Sequence, residues 1–306
     1  MKRAIKKNIK IISIAVLSVL GLLFLVAGYE YAKVVLAPTY DPETMPLNYE
    51  VIGSGKKNIL LIHGLAGSKN YWKMGLKEVK ATHRLLLVDL LGFGDSPKPQ
   101  SDYSLKTQLE ALEQVIIKEG MDNGSTIVVG HSMGATISLA LFAEHPNWFD
   151  GATVIGLPIF KSRDQFVSNM SKASVFDRIA IGSSGKVFCL LHPIYLSKWF
   201  KPKNLTDDVF SDSRKHTWQS YHHSLNEIIL GNNLYSTTKN IRAKEILFIH
   251  GAEDRAAPLS NVKEFAKTFT NSKLKTMEEG DHHLFLKMPK KVWKITMAFF
   301  DNDTKI

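Results

Sequence analysis

Ser132 stands in Gly130-His131-Ser132-Met133-Gly134, a Gly-x-Ser-x-Gly spacing. The spacing suits a nucleophile. A chain that turns directly from a strand into a helix must bend sharply, which strains the central residue and lifts its side chain clear of the backbone. A Cβ two residues to either side would crowd that turn. A serine hydroxyl is a poor nucleophile until a base removes its proton and a third group orients the base. Two downstream segments offer those groups. Asp254, in His250-Gly251-Ala252-Glu253-Asp254-Arg255, is the candidate acid. His282, in Glu279-Gly280-Asp281-His282-His283, is the candidate base. Glu253 competes for the first role and His283 for the second. The chemistry available to such a set is attack on an acyl carbon through a covalent intermediate.

The surrounding pattern places these residues on one edge of a sheet. The β-branched run Thr126-Ile127-Val128-Val129 reads as a buried strand, and Thr136 to Glu144 reads as a helix rich in Ala and Leu. Upstream, Tyr49–Ile52, Asn58–Ile62 and Arg84–Asp89 read as strands, and Leu105 to Glu119 as an amphipathic helix closed by Gly120. Thr153–Gly156 is a further short strand. From about Lys161 to Lys239 the strand–helix alternation stops. It resumes with a strand at Glu245–Ile249, a helix at Val262–Thr268 and an edge-like strand at Lys273–Met277. A last amphipathic helix opens at Pro289. Repeated units with apolar strands imply a mostly parallel sheet covered on both faces. Asp254 and His282 each follow a strand, so both loops fall at the carboxyl edge where Ser132 lies.

With the motifs in place, residues 48–300 are seen to resemble the α/β-hydrolase superfamily. The chain is most similar to membrane-anchored monoacylglycerol lipases and esterases with a lid inserted after the sixth strand. The resemblance rests on His63-Gly64-Leu65-Ala66-Gly67, Asp89-x-x-Gly92-Phe93-Gly94-x-Ser96, the Ser132 segment, Gly251-x-x-Asp254 and Gly280-Asp281-His282. The chain order Ser, Asp, His is also that of the family. It implies an α/β-hydrolase fold with a helical lid over residues 161–240, between core segments 48–160 and 241–306. It implies a triad of Ser132, His282 and Asp254, with Asp254 preferred to Glu253 by the family pattern and His282 to His283 by its spacing to Pro289. It further implies an oxyanion hole from the backbone N–H groups of Leu65 and Met133. His283 is then expected to pack under its loop, His63 and Asp89 to brace theirs, Asp281 to cap its turn, and His131 to be structural. No cofactor is implied. Ser at the elbow argues against the family's dehalogenases and epoxide hydrolases, which carry Asp there. Ala135 replaces a glycine common among similar chains, a mild departure. Carboxylic ester hydrolysis, on a lipid-like or small ester, is the expected activity. A carbon–carbon hydrolase, a lactonase or peptidase, lipid acyl transfer and an inactive binding protein are the alternatives.

The 306 residues suffice for one α/β domain with an insertion or for two small domains. The single cysteine, Cys189, excludes an internal disulfide framework and is expected to be buried. Trp218, Tyr221, His222 and His223 raise a metal reading, but adjacent histidines do not share a helix face and no second cluster answers them. The net charge of +10 is concentrated: Lys2, Arg3, Lys6, Lys7 and Lys10 carry five charges before residue 11, which leaves +5 over the rest. There is no basic stripe with interleaved aromatics, so nucleic acid is not an expected partner.

After that basic tail (residues 1–10), residues 11–29 carry no charge. As a helix these nineteen residues span about 28 Å, close to a hydrocarbon core. A signal peptide has an apolar region of only about 7–15 residues and a small-x-small cleavage site. Here the run is longer, and Ala27, Gly28 and Ala32 are poorly placed for cleavage. The pattern favours an uncleaved transmembrane signal anchor over a cleaved leader, and a buried core helix fits less well. By the positive-inside rule the N-terminus is cytoplasmic and the following domain lies across the membrane, periplasmic or extracellular in a bacterium, lumenal in a eukaryote. Residues 30–47, with Pro38, Pro42 and Pro46, are expected to form a stiff, extended linker.

Overall fold

The computed structural model describes residues 2–173, 185–196, 201 and 205–300. Seven strands form one sheet: β1 (Tyr49–Ile52), β2 (Lys57–Ile62), β3 (His83–Val88), β4 (Thr126–His131), β5 (Phe149–Ile155), β6 (Glu245–Gly251) and β7 (Ser272–Met277). Their order is β1-β3-β2-β4-β5-β6-β7. β1 runs antiparallel to β3 and every other neighbouring pair is parallel. β4, which leads into Ser132, is the middle strand.

Thirteen described α-helices accompany the sheet. Four belong to its first half: α1 (Lys2–Val35), α2 (Val79–Thr82), α3 (Leu105–Lys118) and α4 (Met133–Glu144). Between β5 and β6 come α5 (Arg163–Ala173), α6 (Gly185–Leu190), α7 (His192–Tyr195), α8 (Asp207–Asp212), α9 (Trp218–Ser224), a π-helical turn Leu225–Leu230, and α10 (Leu234–Thr237). The last three are α11 (Leu259–Ala266), α12 (Leu284–Lys287) and α13 (Pro289–Phe300).

Strand side chains alternate between two cores. Leu60 and Ile62 face one side with Leu86, Val88, Val128, Val154 and Phe248, against Leu112, Leu139 and Phe265 of α3, α4 and α11. Ile59 and Leu61 face the other with Leu85, Leu87, Val129 and Ile249, against Trp72, Phe285, Trp293 and Phe300. Each fully buried residue of this kind contributes about 1.5–3 kcal/mol of transfer free energy. Covered on both faces, the central strands are rigid platforms for the loops at their carboxyl ends.

Three boundaries differ from the sequence pattern for identifiable reasons. α4 begins at Met133, three residues before the apolar helical pattern, because the Ser132 carbonyl already accepts from the N–H groups of Ala135 (2.8 Å) and Thr136 (3.3 Å). The insertion follows the fifth strand of this sheet, since the single strand β1 precedes the first parallel strand. α1 continues through residues 30–35, and Pro38 and Tyr40 beyond it are held to the domain. The N–H of Tyr40 donates to Gln100 O at 3.0 Å, and that of Gln100 to Pro38 O at 2.8 Å. The segment is therefore docked on the domain rather than standing off it as a spacer. Within the insertion Cys189 is buried. The apolar runs Ile179-Ala180-Ile181 and Trp199-Phe200 lie outside the described residues.

Candidate active site

The turn from β4 into α4 leaves no residue spare. Ser132 takes φ 53° and ψ −122°, a positive φ that L-residues rarely adopt. Its N–H donates to Ile155 O at 2.9 Å, which ties the turn to the neighbouring strand. The flanking glycines are obligatory on steric grounds. A Cβ on Gly130 would lie 2.2 Å from the Gly134 carbonyl oxygen, and one on Gly134 would lie 2.2 Å from that of Ile62. The strain is thus imposed by close backbone approach on both sides of the serine.

Ser132 Oγ lies 2.9 Å from His282 Nε2, and His282 Nδ1 lies 2.8 Å from Asp254 Oδ2. A carboxylate only accepts, so Nδ1–H donates to Asp254 and Nε2 is free to accept from the serine hydroxyl. The other carboxylate oxygen accepts from the N–H groups of Ala256 (2.9 Å) and Ala257 (2.8 Å). Burial by itself would raise the Asp254 carboxyl. The His282 charge and hydrogen bond, with His250 and the Ala257 N–H, outweigh it and hold Asp254 below its ordinary value. The geometry therefore joins an ionised acid, an oriented imidazole and a hydroxyl in one line.

Of the two competing histidines, only His282 reaches Ser132. His283 is exposed rather than packed under its loop. Its N–H donates to Asp281 Oδ1 at 3.0 Å, and its ring lies beside those of His131 and Tyr71, with centroids 5.5 and 6.3 Å away. Asp281 also pairs with Lys287 at 2.7 Å. Glu253 is exposed and does not share the contacts of Asp254.

Above the serine, a Cβ on Gly64 would stand 3.0 Å from Ser132 Cβ, so the His63-Gly64-Leu65 loop presses directly on the nucleophile. Neither the Leu65 nor the Met133 N–H has a backbone acceptor among the described residues. Buried His63 holds this loop. Its Nδ1–H donates to Gly64 O at 2.7 Å, and its Nε2 accepts from the Leu90 N–H at 3.0 Å. Burial lowers its pKa, against the opposing charge of Asp89. Asp89 in turn accepts from Lys69 Nζ (2.7 Å), Lys69 N (2.6 Å) and Asp95 N (3.0 Å).

Three contributors are not evident from spacing. His131 Nε2–H donates to the backbone carbonyl of His282 at 2.8 Å. Its ring stacks on Tyr71, with centroids 4.6 Å apart. His250, at the end of β6, brings Nε2 within 3.5 Å of Asp254 Oδ2 while bonding Ala257 O at 2.9 Å. Asp212, on α8, accepts from Ser68 Oγ and Asn70 Nδ2, both at 2.6 Å, and from Lys215 at 2.7 Å. Lys215 also reaches Asp95 at 2.6 Å. These bonds fasten the inserted helices to the loops after β2 and β3. A histidine beside the nucleophile was visible in the sequence; its partner, 151 residues away, was not.

Known proteins share this architecture. The family model described as alpha/beta hydrolase fold matches residues 57–289. The chain is 32% identical over 194 residues to a probable lysophospholipase, BODYGUARD 4, of Arabidopsis thaliana, covering 57% of this chain and 46% of that protein. It is 25% identical over 279 residues to the AB hydrolase superfamily protein YisY of Bacillus subtilis, covering 84% and 96%. The chain spans about half the length of the BODYGUARD relatives it matches. Among solved structures, the esterase RhEst1 of Rhodococcus sp. ECU1013 superposes with a TM-score of 0.69 at 20% identity, over 87% of this chain and 98% of that one.

Proposed function

Because the chain belongs to the α/β-hydrolase fold family, we propose that it is a membrane-anchored serine hydrolase that cleaves carboxylic esters of lipid type through Ser132, His282 and Asp254. The observation that carries the reading is the continuous contact from Ser132 Oγ through both nitrogens of His282 to Asp254. His282 Nε2 takes the hydroxyl proton as Oγ attacks the ester carbonyl, and Asp254 holds the imidazolium. The N–H groups of Leu65 and Met133 receive the developing oxyanion. One such donor is typically worth about 2.7–4 kcal/mol. The tetrahedral adduct collapses, His282 returns the proton to the leaving alcohol, and an acyl-serine remains. A water, deprotonated by His282, then releases the carboxylic acid and restores the hydroxyl.

A lipid-like ester is supported by relatives named for lysophospholipase activity and by the insertion, whose described helices are fastened to the loops after β2 and β3 beside the catalytic edge. The anchor is supported by α1, whose segment from Ile5 to Val35 is long and apolar enough to cross a bilayer. The basic residues at its amino end orient the N-terminus to the cytoplasm, which puts the catalytic domain outside it.

The test is hydrolysis of p-nitrophenyl esters of increasing acyl length by the full chain, with Ser132→Ala alongside. Turnover that vanishes in Ser132→Ala and favours medium or long chains is expected. Preference for acetate would overturn the lipid assignment. Turnover surviving in Ser132→Ala would overturn the mechanism.

A further inference from the structure

The last turns of α1 are not free. Residues 5–22 are exposed throughout, whereas Leu23, Val26, Ala27, Glu30 and Val34 are shielded. Their spacing of three or four residues marks one helix face. Helices α6 and α9 pack on it. The ring of Tyr31 stacks on Trp218 of α9, with centroids 6.5 Å apart and planes 8° from parallel. Lys186 of α6 places Nζ 5.2 Å from the Tyr31 ring and 4.1 Å from the Trp218 ring. Buried Glu30 pairs with Lys33 at 2.9 Å. At the last residue of the helix, Gln100 Nε2 donates to Val35 O at 2.7 Å.

These contacts carry a depth. The uncharged run ends at Tyr29, and Tyr31 lies two residues on, about 3 Å further along the axis. Headgroups occupy about 5–7 Å on each side of the hydrocarbon. Side chains that touch Tyr31 therefore lie at headgroup level. Tryptophan, tyrosine and lysine are the types that this layer favours, with an apolar body and a polar tip. On the same segment of the insertion, Val187 is 59% exposed and Ile194 is 36% exposed. The opposite side of α9 reaches the catalytic edge: a Cβ on Gly92, in the loop after β3, would meet Ser220 Cβ at 2.5 Å.

We propose that the inserted lid is an interfacial element, its α6–α9 face seated in the headgroup layer of the leaflet from which α1 emerges, so that a lipid ester reaches Ser132 from that leaflet. The inference rests on reading α1 as a membrane span. The lid then joins the bilayer on one side to the loops around the nucleophile on the other. The exposed apolar residues Val187 and Ile194 meet lipid instead of water.

The test uses the full chain in phosphatidylcholine–phosphatidylglycerol nanodiscs. A nitroxide is placed at Val187→Cys, and for comparison at Asp122→Cys beside the amino end of β4, both with Cys189→Ser. The Val187 label is expected to collide with dissolved oxygen and be shielded from a water-soluble nickel chelate. The Asp122 label is expected to show the reverse. In the native-cysteine chain, Tyr31→Ala with Trp218→Ala is expected to lower hydrolysis of a bilayer-embedded monoacylglycerol about two- to tenfold. Hydrolysis of soluble p-nitrophenyl butyrate is expected to stay unchanged. If alkaline carbonate extracts the chain from native membranes, the span itself fails, and the inference with it. If the chain resists extraction but nickel reaches Val187 as freely as Asp122, the inference alone is overturned. An equal effect of the double variant on both substrates, or on neither, also overturns it.

Discussion

The imidazole of His131 donates from Nε2 to the backbone carbonyl of His282, 2.8 Å away. The residue that precedes the nucleophile thus holds the loop of the proposed base. Burial, reinforced by the neighbouring His282 and His283 rings, keeps the His131 pKa well below its ordinary value. The ring is neutral, and the carbonyl acceptor requires its proton on Nε2.

His131→Phe preserves the ring that stacks on Tyr71 but removes the donor. An orphaned buried carbonyl costs about 1–3 kcal/mol, and it is relieved most easily if the His282 loop shifts. The expected result is a kcat about tenfold lower with KM nearly unchanged, partly restored in His131→Gln. Steady-state kinetics on p-nitrophenyl butyrate check it. A KM effect without a kcat effect would assign His131 to substrate binding.

Asp254→Asn should leave the loop in place, because the amide oxygen can still accept from Ala256 and Ala257. Its NH2 group, however, would face His282 Nδ1 and favour the wrong tautomer. By analogy with serine triads elsewhere, kcat should fall about 10³- to 10⁴-fold. Labelling of Ser132 by a fluorophosphonate should slow in parallel. Labelling at the parent rate would remove Asp254 from the proposed machinery.

Asp212 ties α8 to Ser68, Asn70 and Lys215 while itself buried. Asp212→Ala leaves those donors without their shared acceptor, although Lys215 retains Asp95. Stability should fall by about 1–3 kcal/mol. Limited proteolysis should cut first within the inserted helices, not in the sheet. Unchanged melting and cleavage would show that the network does not hold the inserted helices.

Acid should destabilise the fold in two stages. His63, His131 and His250 are buried, and burial holds each below its ordinary value. Unfolded histidines take up protons near pH 6.5, whereas these do so only at lower pH. The unfolded chain therefore binds more protons in that window, and stability declines as pH drops below about 6.5. Asp254, whose folded value is depressed, adds a stabilising contribution present above about pH 3.9 and lost as pH falls through its folded value. Urea midpoints at pH 8, 6.5 and 5 should decrease in that order. A midpoint that stays level across the series would contradict the buried, neutral state of these rings.

The features legible in the sequence alone are those that local pattern controls. Apolar runs such as Asn58–Ile62 and Thr126–Val129 mark strands because both sheet faces are covered. Gly130 and Gly134 around Ser132 mark the turn because nothing larger fits beside the neighbouring carbonyls. The order of Ser132, Asp254 and His282, each after a strand, already placed three chemical groups on one edge. The tertiary structure decided which of two adjacent histidines faces the serine. The resemblance favours His282 by its spacing to Pro289, but the direction of each ring is a property of the folded loop, where His282 Nε2 reaches Ser132 Oγ and the His283 N–H bonds Asp281. It also decided that His131 bonds a carbonyl 151 residues distant, that Asp212 clamps the insertion, and that α1 ends against Trp218. Those contacts join segments far apart in the chain. They exist only once the sheet has set the spacing of its loops, because a hydrogen bond or a ring stack needs partners within a few ångströms.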